Sequence, residues 1–244
     1  MEERLYVRLS ATSQATSRWL FVWILARTFD LGVVHDRLIQ SDFAMIDSIE
    51  ALRGLYGAAK ERSVKKQIDH LDVHCNRFIA LSPFVVIASG DAGGSLDASP
   101  RGGEPGFVRT VNNKTLLIPD SPGNNRLDTL SNIMATGSIG LLFMIPGVEE
   151  TLRVNGCARL ANDAALLQEF TNEKRTPKLV IEVSVFAAYL HCAKAFMRSK
   201  LWSAESRIER SALPTMGEML SEQTGMRSAP ETQEQMKMRY ACDL

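Results

Sequence analysis

Two hydrophobic periods divide the chain. The first half of the readable pattern is helical: Ser48, Glu50, Leu52 and Leu55 fit a short helix, and Ile68, Leu71, Cys75, Phe78 and Ile79 predict one amphipathic helix over 64–81 that Pro83 stops. From Phe84 the period becomes that of strands. The apolar run at 84–89, a Gly93-Gly94 turn and the segment 95–99 predict a hairpin. The segments 107–111 and 115–118 about Asn112-Asn113 predict a second. Further strands are expected at 139–145, 151–160 and 179–186, with helices over 126–134 and 162–170, the latter capped by Asn162 or Asp163. Many short strands with tight turns and few helices between them favour a mainly β, α+β domain built as a closed or split antiparallel barrel.

Composition narrows the function classes. Lys+Arg and Asp+Glu both number 28, so the net charge is zero and no whole-chain field points to a nucleic-acid or membrane partner. The apolar run Trp19 to Ala26 is bracketed by Arg18 and Arg27 and is far shorter than the ~20 residues a span needs. The start MEER does not make a clean basic signal region. Cys75, Cys157, Cys192 and Cys242 are widely spaced without a CxxC pair, which predicts free thiols, a cytoplasmic location and no metal site. Neither GxGxxG nor GxxxxGK[ST] occurs, so Rossmann and P-loop sites lack their signal.

Four segments could carry chemistry. In 97–106 a Gly- and Pro-dense loop places Ser99 and Arg101 near a strand end, where the planar guanidinium suits a phosphate or carboxylate; a surface loop with a solvated Arg is the alternative. In PDSPGNNR, Pro119 to Arg126, a strand runs into a helix expected to begin near Asn125 or Arg126. The helix N-terminus together with Asn124, Asn125 and Arg126 would suit an anion, although Asn124 or Asn125 could equally be an ordinary cap. In 151–159, Arg153 and Asn155 alternate with Leu152 and Val154 and share one strand face, a groove or solvent, with Gly156 marking a bulge or close approach. In 191–202, helical spacing sets His191, Lys194, Arg198 and Trp202 along one ridge, either a ligand platform or a solvated face.

Taken in order, SPF (82–84), DASPRG (97–102), PGF (105–107), LLIPDSPGNNRLDTLSNI (116–133), GLLFMIPG (140–147), ETLRVNGCARL (150–160) and HCAKAFMRSKLW (191–202) resemble the pyridoxamine 5′-phosphate oxidase-related FMN-binding proteins. The resemblance runs from about residue 45 to 219. It implies an FMN-binding split β-barrel and a homodimer with flavin at the interface, acting as an oxidoreductase on a small molecule; a non-catalytic flavin-binding or storage protein and a reductase using a deazaflavin cofactor are the alternatives. Ser99 and Arg101 would lie at the flavin, Asn124, Asn125 and Arg126 would hold its phosphate, and Arg153 would be a further site residue. Lys194, Arg198 and Trp202 would come from near the interface. The oxidase's C-terminal substrate-binding pattern has no counterpart here, so the resemblance does not extend to vitamin B6 oxidation. Residues 1–44 read as an extension upstream of a second start at Met45, and 220–244 as a flexible polar tail.

Overall fold

A computed structural model describes residues 45–121, 123–171, 176–225 and 231–241. Residues 1–44, with the aromatic run and the extension expected there, lie outside them, as does Cys242. The described residues fall into two units, divided after Ala58. In the first, the described residues form helix α1 (Ile49–Tyr56), whose start is closed by the Ser48 side chain accepting from the Ala51 N–H at 3.1 Å.

The second unit contains α2 (Glu61–Lys65), α3 (Val73–Leu81), β1 (Phe84–Gly90), β2 (Leu96–Gly102), β3 (Arg109–Asn112), β4 (Thr115–Pro119), α4 (Asp128–Thr136), β5 (Ser138–Met144), β6 (Thr151–Ala161), α5 (Ala164–Gln168), β7 (Val180–His191), α6 (Lys194–Ser199), α7 (Met216–Thr224) and α8 (Gln233–Ala241). The strands make one antiparallel sheet in the order β2-β1-β5-β6-β7-β4-β3. The sheet does not close. It curls with its flanking helices into the mainly β split barrel that the strand pattern predicts.

One face of the sheet carries the core: Val85 and Ile87, Leu141 and Phe143, Leu152 and Val154, Val183, Leu116 and Ile118 are all buried, packed by Cys75 and Ile79 of α3 and by Leu130 and Ile133 of α4. The Ser82 hydroxyl, also buried, lies within hydrogen-bond distance of the Phe84 and Met144 carbonyls, at 2.8 and 2.7 Å. This ties the end of α3 to the β1–β5 pair and gives the SPF segment a structural role.

Four expectations need correction. The single helix over 64–81 is two helices. Between them Ile68 pairs with Ala188 through two backbone bonds of 3.0 and 2.8 Å, and Asp72 restarts the helix by capping the Cys75 N–H. The strand expected to give way to loop near Ser99 runs on through Arg101 to Gly102, the end of β2. The last strand continues past Phe186 to His191, because Phe186 is an extra residue between the pairs Gly156–Val185 and Asn155–Ala187, and the bulge hides the continuing alternation. The stretch beyond 220 carries helix in the end of α7 and in α8. α7 starts with a full Thr215–Glu218 capping box.

Candidate functional site

Strand β2 sets Asp97, Ser99 and Arg101 opposite Ser89, Ile87 and Val85, on the core-side face at the sheet's edge. Asp97 is the hub. Its carboxylate accepts the Ser99 hydroxyl at 3.0 and 3.1 Å and the buried Thr129 hydroxyl at 2.6 Å, and so fastens β2 to the first turn of α4. Asn132, one turn on, donates to Ser89 of β1 at 3.1 Å. Asp97 was not singled out in the sequence. Its position two residues before Ser99, on the same strand face, was the signal available.

Arg101 donates to the Pro100 carbonyl at 2.9 Å. Its charge also acts on Asp120, whose carboxyl burial pushes upward while Arg101 and Lys178 pull it back. The β2 residues and the head of PDSPGNNR are therefore neighbours in space. Past Pro119 the chain does not enter a helix at Asn125 or Arg126. Asn125 and Leu127 are both left-handed, with φ of 59° and 62°, and α4 begins only at Asp128. Neither Asn124 nor Asn125 caps it. The Asn124 side-chain oxygen instead closes a turn on the Arg126 N–H at 3.1 Å, and Leu127, at the cap position, offers no side-chain acceptor to the first turn of the helix. Arg126 is steered by Asp128, which accepts its Nε at 2.8 Å; among the described residues no hydrogen bond engages the guanidinium's outer nitrogens.

Arg153 and Asn155 share a face, as the alternation predicts, but it is the other face of the sheet. Arg153 stands opposite Leu142 on β5, which stands opposite Val86 and then Pro100, while Ser99 and Arg101 lie in the intervening, core-side rows. The Arg153 guanidinium lies 4.1 Å from the centre of the Tyr189 ring. Gly156 is a close-approach glycine: a Cβ there would sit 2.6 Å from the Ser184 carbonyl oxygen and from Val183.

The ridge expected along 191–202 is not formed. His191 ends β7, α6 spans only Lys194–Ser199, and Lys200, with φ of 51°, turns the chain out of the helix before Trp202. Lys194 and Arg198 remain on α6, both exposed, with Arg198 Nε donating to the Lys194 carbonyl at 3.0 Å. Trp202 stacks on Phe196, ring centres 5.3 Å apart, and donates to the Val148 carbonyl at 2.9 Å, which pins it to the β5–β6 turn. The structure thus sets Ser99 and Arg101 on the strand that Asp97 fastens to α4, with Asp120 within reach of the Arg101 charge, and leaves Arg153 on the opposite sheet face. Among the described residues no helix is long and apolar enough to cross a membrane, no group of His, Cys, Asp and Glu could hold a metal ion, and Cys75, Cys157 and Cys192 are free.

An unclosed seven-stranded antiparallel barrel with helices packed on its core face, carrying the strand-to-helix loop and the edge strand just described, defines a split-barrel domain of the pyridoxamine 5′-phosphate oxidase-like class. Residues 71–192, half of the chain, match the family model described as pyridoxamine 5′-phosphate oxidase, and the chain belongs to that family. Among solved structures, HupZ of Group A Streptococcus is similar at 19% identity over 49% of this chain and 92% of that one, with a TM-score of 0.41. An FMN-binding protein from Syntrophomonas wolfei is similar at 9% identity over 59% and 96%, with a TM-score of 0.38. A NimC/NimA family protein from Clostridium acetobutylicum is similar at 12% identity over 50% and 87%, with a TM-score of 0.35. No curated protein matches the sequence.

Proposed function

We propose that this protein is an FMN-dependent oxidoreductase of small molecules, holding its flavin between two copies of the chain. The observation that carries the reading is the start of α4. Its first turn has no side-chain cap, Arg126 is oriented at its mouth by Asp128, and the Asp97–Thr129 bond fixes it against the strand bearing Ser99 and Arg101. This donor set suits a phosphate monoester: free backbone N–H groups, the amides of Asn124 and Asn125, and two guanidinium groups. Arg126, Asn124 and Asn125 would hold the flavin phosphate, with Ser99 and Arg101 beside them. The Ser99 proton is committed to Asp97, so toward a ligand this hydroxyl presents its lone pairs.

Arg153 lies on the other face and cannot reach the same ligand through the sheet of its own copy. A second copy apposed to the outer face would bring Arg153, together with Lys194, Arg198 and Trp202, to the flavin from across a homodimer interface. The outer rows suit such an interface, since Val86 and Leu142 are apolar and only half-buried and Pro100 and Ala88 are apolar and exposed. Bound there, FMN supplies hydride or single-electron transfer. The chain's own residues would fix its phosphate, orient its ring and exclude water.

The test is the visible spectrum of the purified full chain, with mass identification of whatever is released on denaturation. Released FMN, reducible anaerobically by NADH or NADPH, is the expected result. FMN that no nicotinamide donor or small-molecule substrate reduces would leave a flavin carrier. A colourless protein that takes up no added FMN would overturn the flavin reading.

A further inference from the structure

At one end of the outer sheet face, three basic side chains gather around a single aromatic ring. Tyr189 carries the Arg153 guanidinium at 4.1 Å and the Lys66 ammonium at 4.9 Å from its centroid, and its ring meets that of His191 at 4.7 Å. The three come from β6, β7 and the segment joining α2 to α3, and long-range bonds hold them together. Arg153 pairs with Tyr189 across the sheet, and Lys66 donates to the Leu190 carbonyl at 2.8 Å.

Among the described residues no carboxylate makes an ion pair with any of the three. Among the described residues Arg153, which is partly buried, has no ion pair and no hydrogen bond; its contact is the Tyr189 ring. Burial first, and then the charges of Arg153 and Lys66, hold the His191 imidazole below its ordinary range. Cys192, next in the chain, is drawn downward by the Lys194 N–H and by the charges of Lys194 and Lys66. Glu149 and Glu150, exposed on the turn into β6, are not among the groups that move His191. A guanidinium taken partly out of water, with a second cation and a histidine beside it, calls for an anion that the chain itself does not provide.

We infer that Lys66, Arg153 and His191, set around Tyr189, form an oxyanion subsite for the phosphate or carboxylate of a small-molecule ligand, separate from the anion site at the start of α4. Arg153 offers a planar pair of donors and Lys66 its two uncommitted protons. His191 becomes a third donor when protonated, so anion binding takes up a proton and strengthens as pH falls. The subsite shares the outer sheet face and Arg153 with the proposed flavin interface and rests on that reading to this extent, whereas Lys66, Tyr189 and His191 are not used by it.

The experiment follows the four histidine ring signals of the full chain, labelled at histidine, across pH roughly 5–8. His191 is assigned through His191→Gln, and sulfate or acetate is compared with chloride at equal ionic strength. Sulfate should raise the His191 midpoint by about one pH unit, corresponding to roughly tenfold tighter binding to the protonated form. A comparable effect of acetate would mark the ligand as a carboxylate, and an effect of sulfate alone as a phosphate. Arg153→Gln, or the exposed Lys66→Gln should the first fail to fold, should abolish the shift, while Arg126→Gln should leave it. No shift with either anion would overturn the proposal. So would a shift lost in Arg126→Gln but kept in Arg153→Gln, or one abolished by saturating FMN, since the cluster would then belong to the flavin's own phosphate site.

Discussion

At the scale of single residues, the loop between β4 and α4 is where sequence and structure part most instructively. Asn124 and Asn125 are common helix caps, and a helix start at Asn125 or Arg126 follows from that preference. The left-handed Asn125 and Leu127 move the start to Asp128 and leave the cap position to a leucine. A bulky residue held at positive φ costs of order 1–3 kcal/mol. Leu127→Val, with its branched Cβ, should therefore lower stability by about 1–2 kcal/mol, and Leu127→Gly should not, as denaturant melts would show. If the strained loop serves a phosphate, Arg126→Ala should weaken FMN binding by about 1.5–3 kcal/mol, the value of a charge-assisted bond. Unchanged affinity in a fluorescence titration would remove Arg126 from the site. Asp97 escaped attention in the sequence because a carboxylate two residues from a site serine has no signature of its own; only the packing of α4 on β2 makes it the hub.

At the scale of elements, the apolar runs that become β1, β5 and β6 were legible because each strand buries one face and alternation survives. What hid was whatever depends on distant partners. Ile68 interrupts an apparently continuous helical stripe because Ala188, far along the chain, claims its backbone. The bulge at Phe186 breaks the alternation of β7, so the strand reads as ending there and His191, its true last residue, reads as the start of a helical ridge. Gly156, on the facing strand, is the counterpart that does show in the sequence. Gly156→Ala would drive a methyl group into the Ser184 carbonyl and Val183, and about 1–3 kcal/mol of stability should be lost. Gly123→Ala, whose Cβ would meet nothing within 4 Å, is the matched control and should be near neutral in the same denaturant melts.

At the scale of the whole molecule, acid sensitivity should show one clear contributor. Asp69 accepts from His70 at 2.9 Å and from Lys114 at 2.9 Å, while Lys114 also donates to the Asp69 backbone carbonyl, clamping the β3–β4 turn to the segment before α3. The hydrogen bonds of His70 and Lys114 hold the Asp69 carboxyl down from 3.8 to about 2. A depressed carboxylate contributes stability that is complete above the unfolded value and lost as pH falls through the folded one. The contribution of Asp69 should thus fade between pH 3.8 and about 2, and Lys114→Gln should flatten that part of the acid limb of Tm against pH. An identical limb in the variant would show the clamp to be without effect.

Across the whole chain, the family and the split barrel were legible from motif order, because the motifs fall on strand edges and turns that the fold spaces in a fixed way. The division of the expected site residues between the two sheet faces was not, since it depends on register across four strands. That division leads to the central claim, that flavin is held between two copies of the chain. Sedimentation of the full chain loaded with FMN, followed at the flavin's visible absorption, tests it most directly. The flavin should travel with a species of twice the 27.0 kDa chain mass and be released when dilution separates the copies. Flavin that travels with a single chain, or that sediments free of protein, would contradict it.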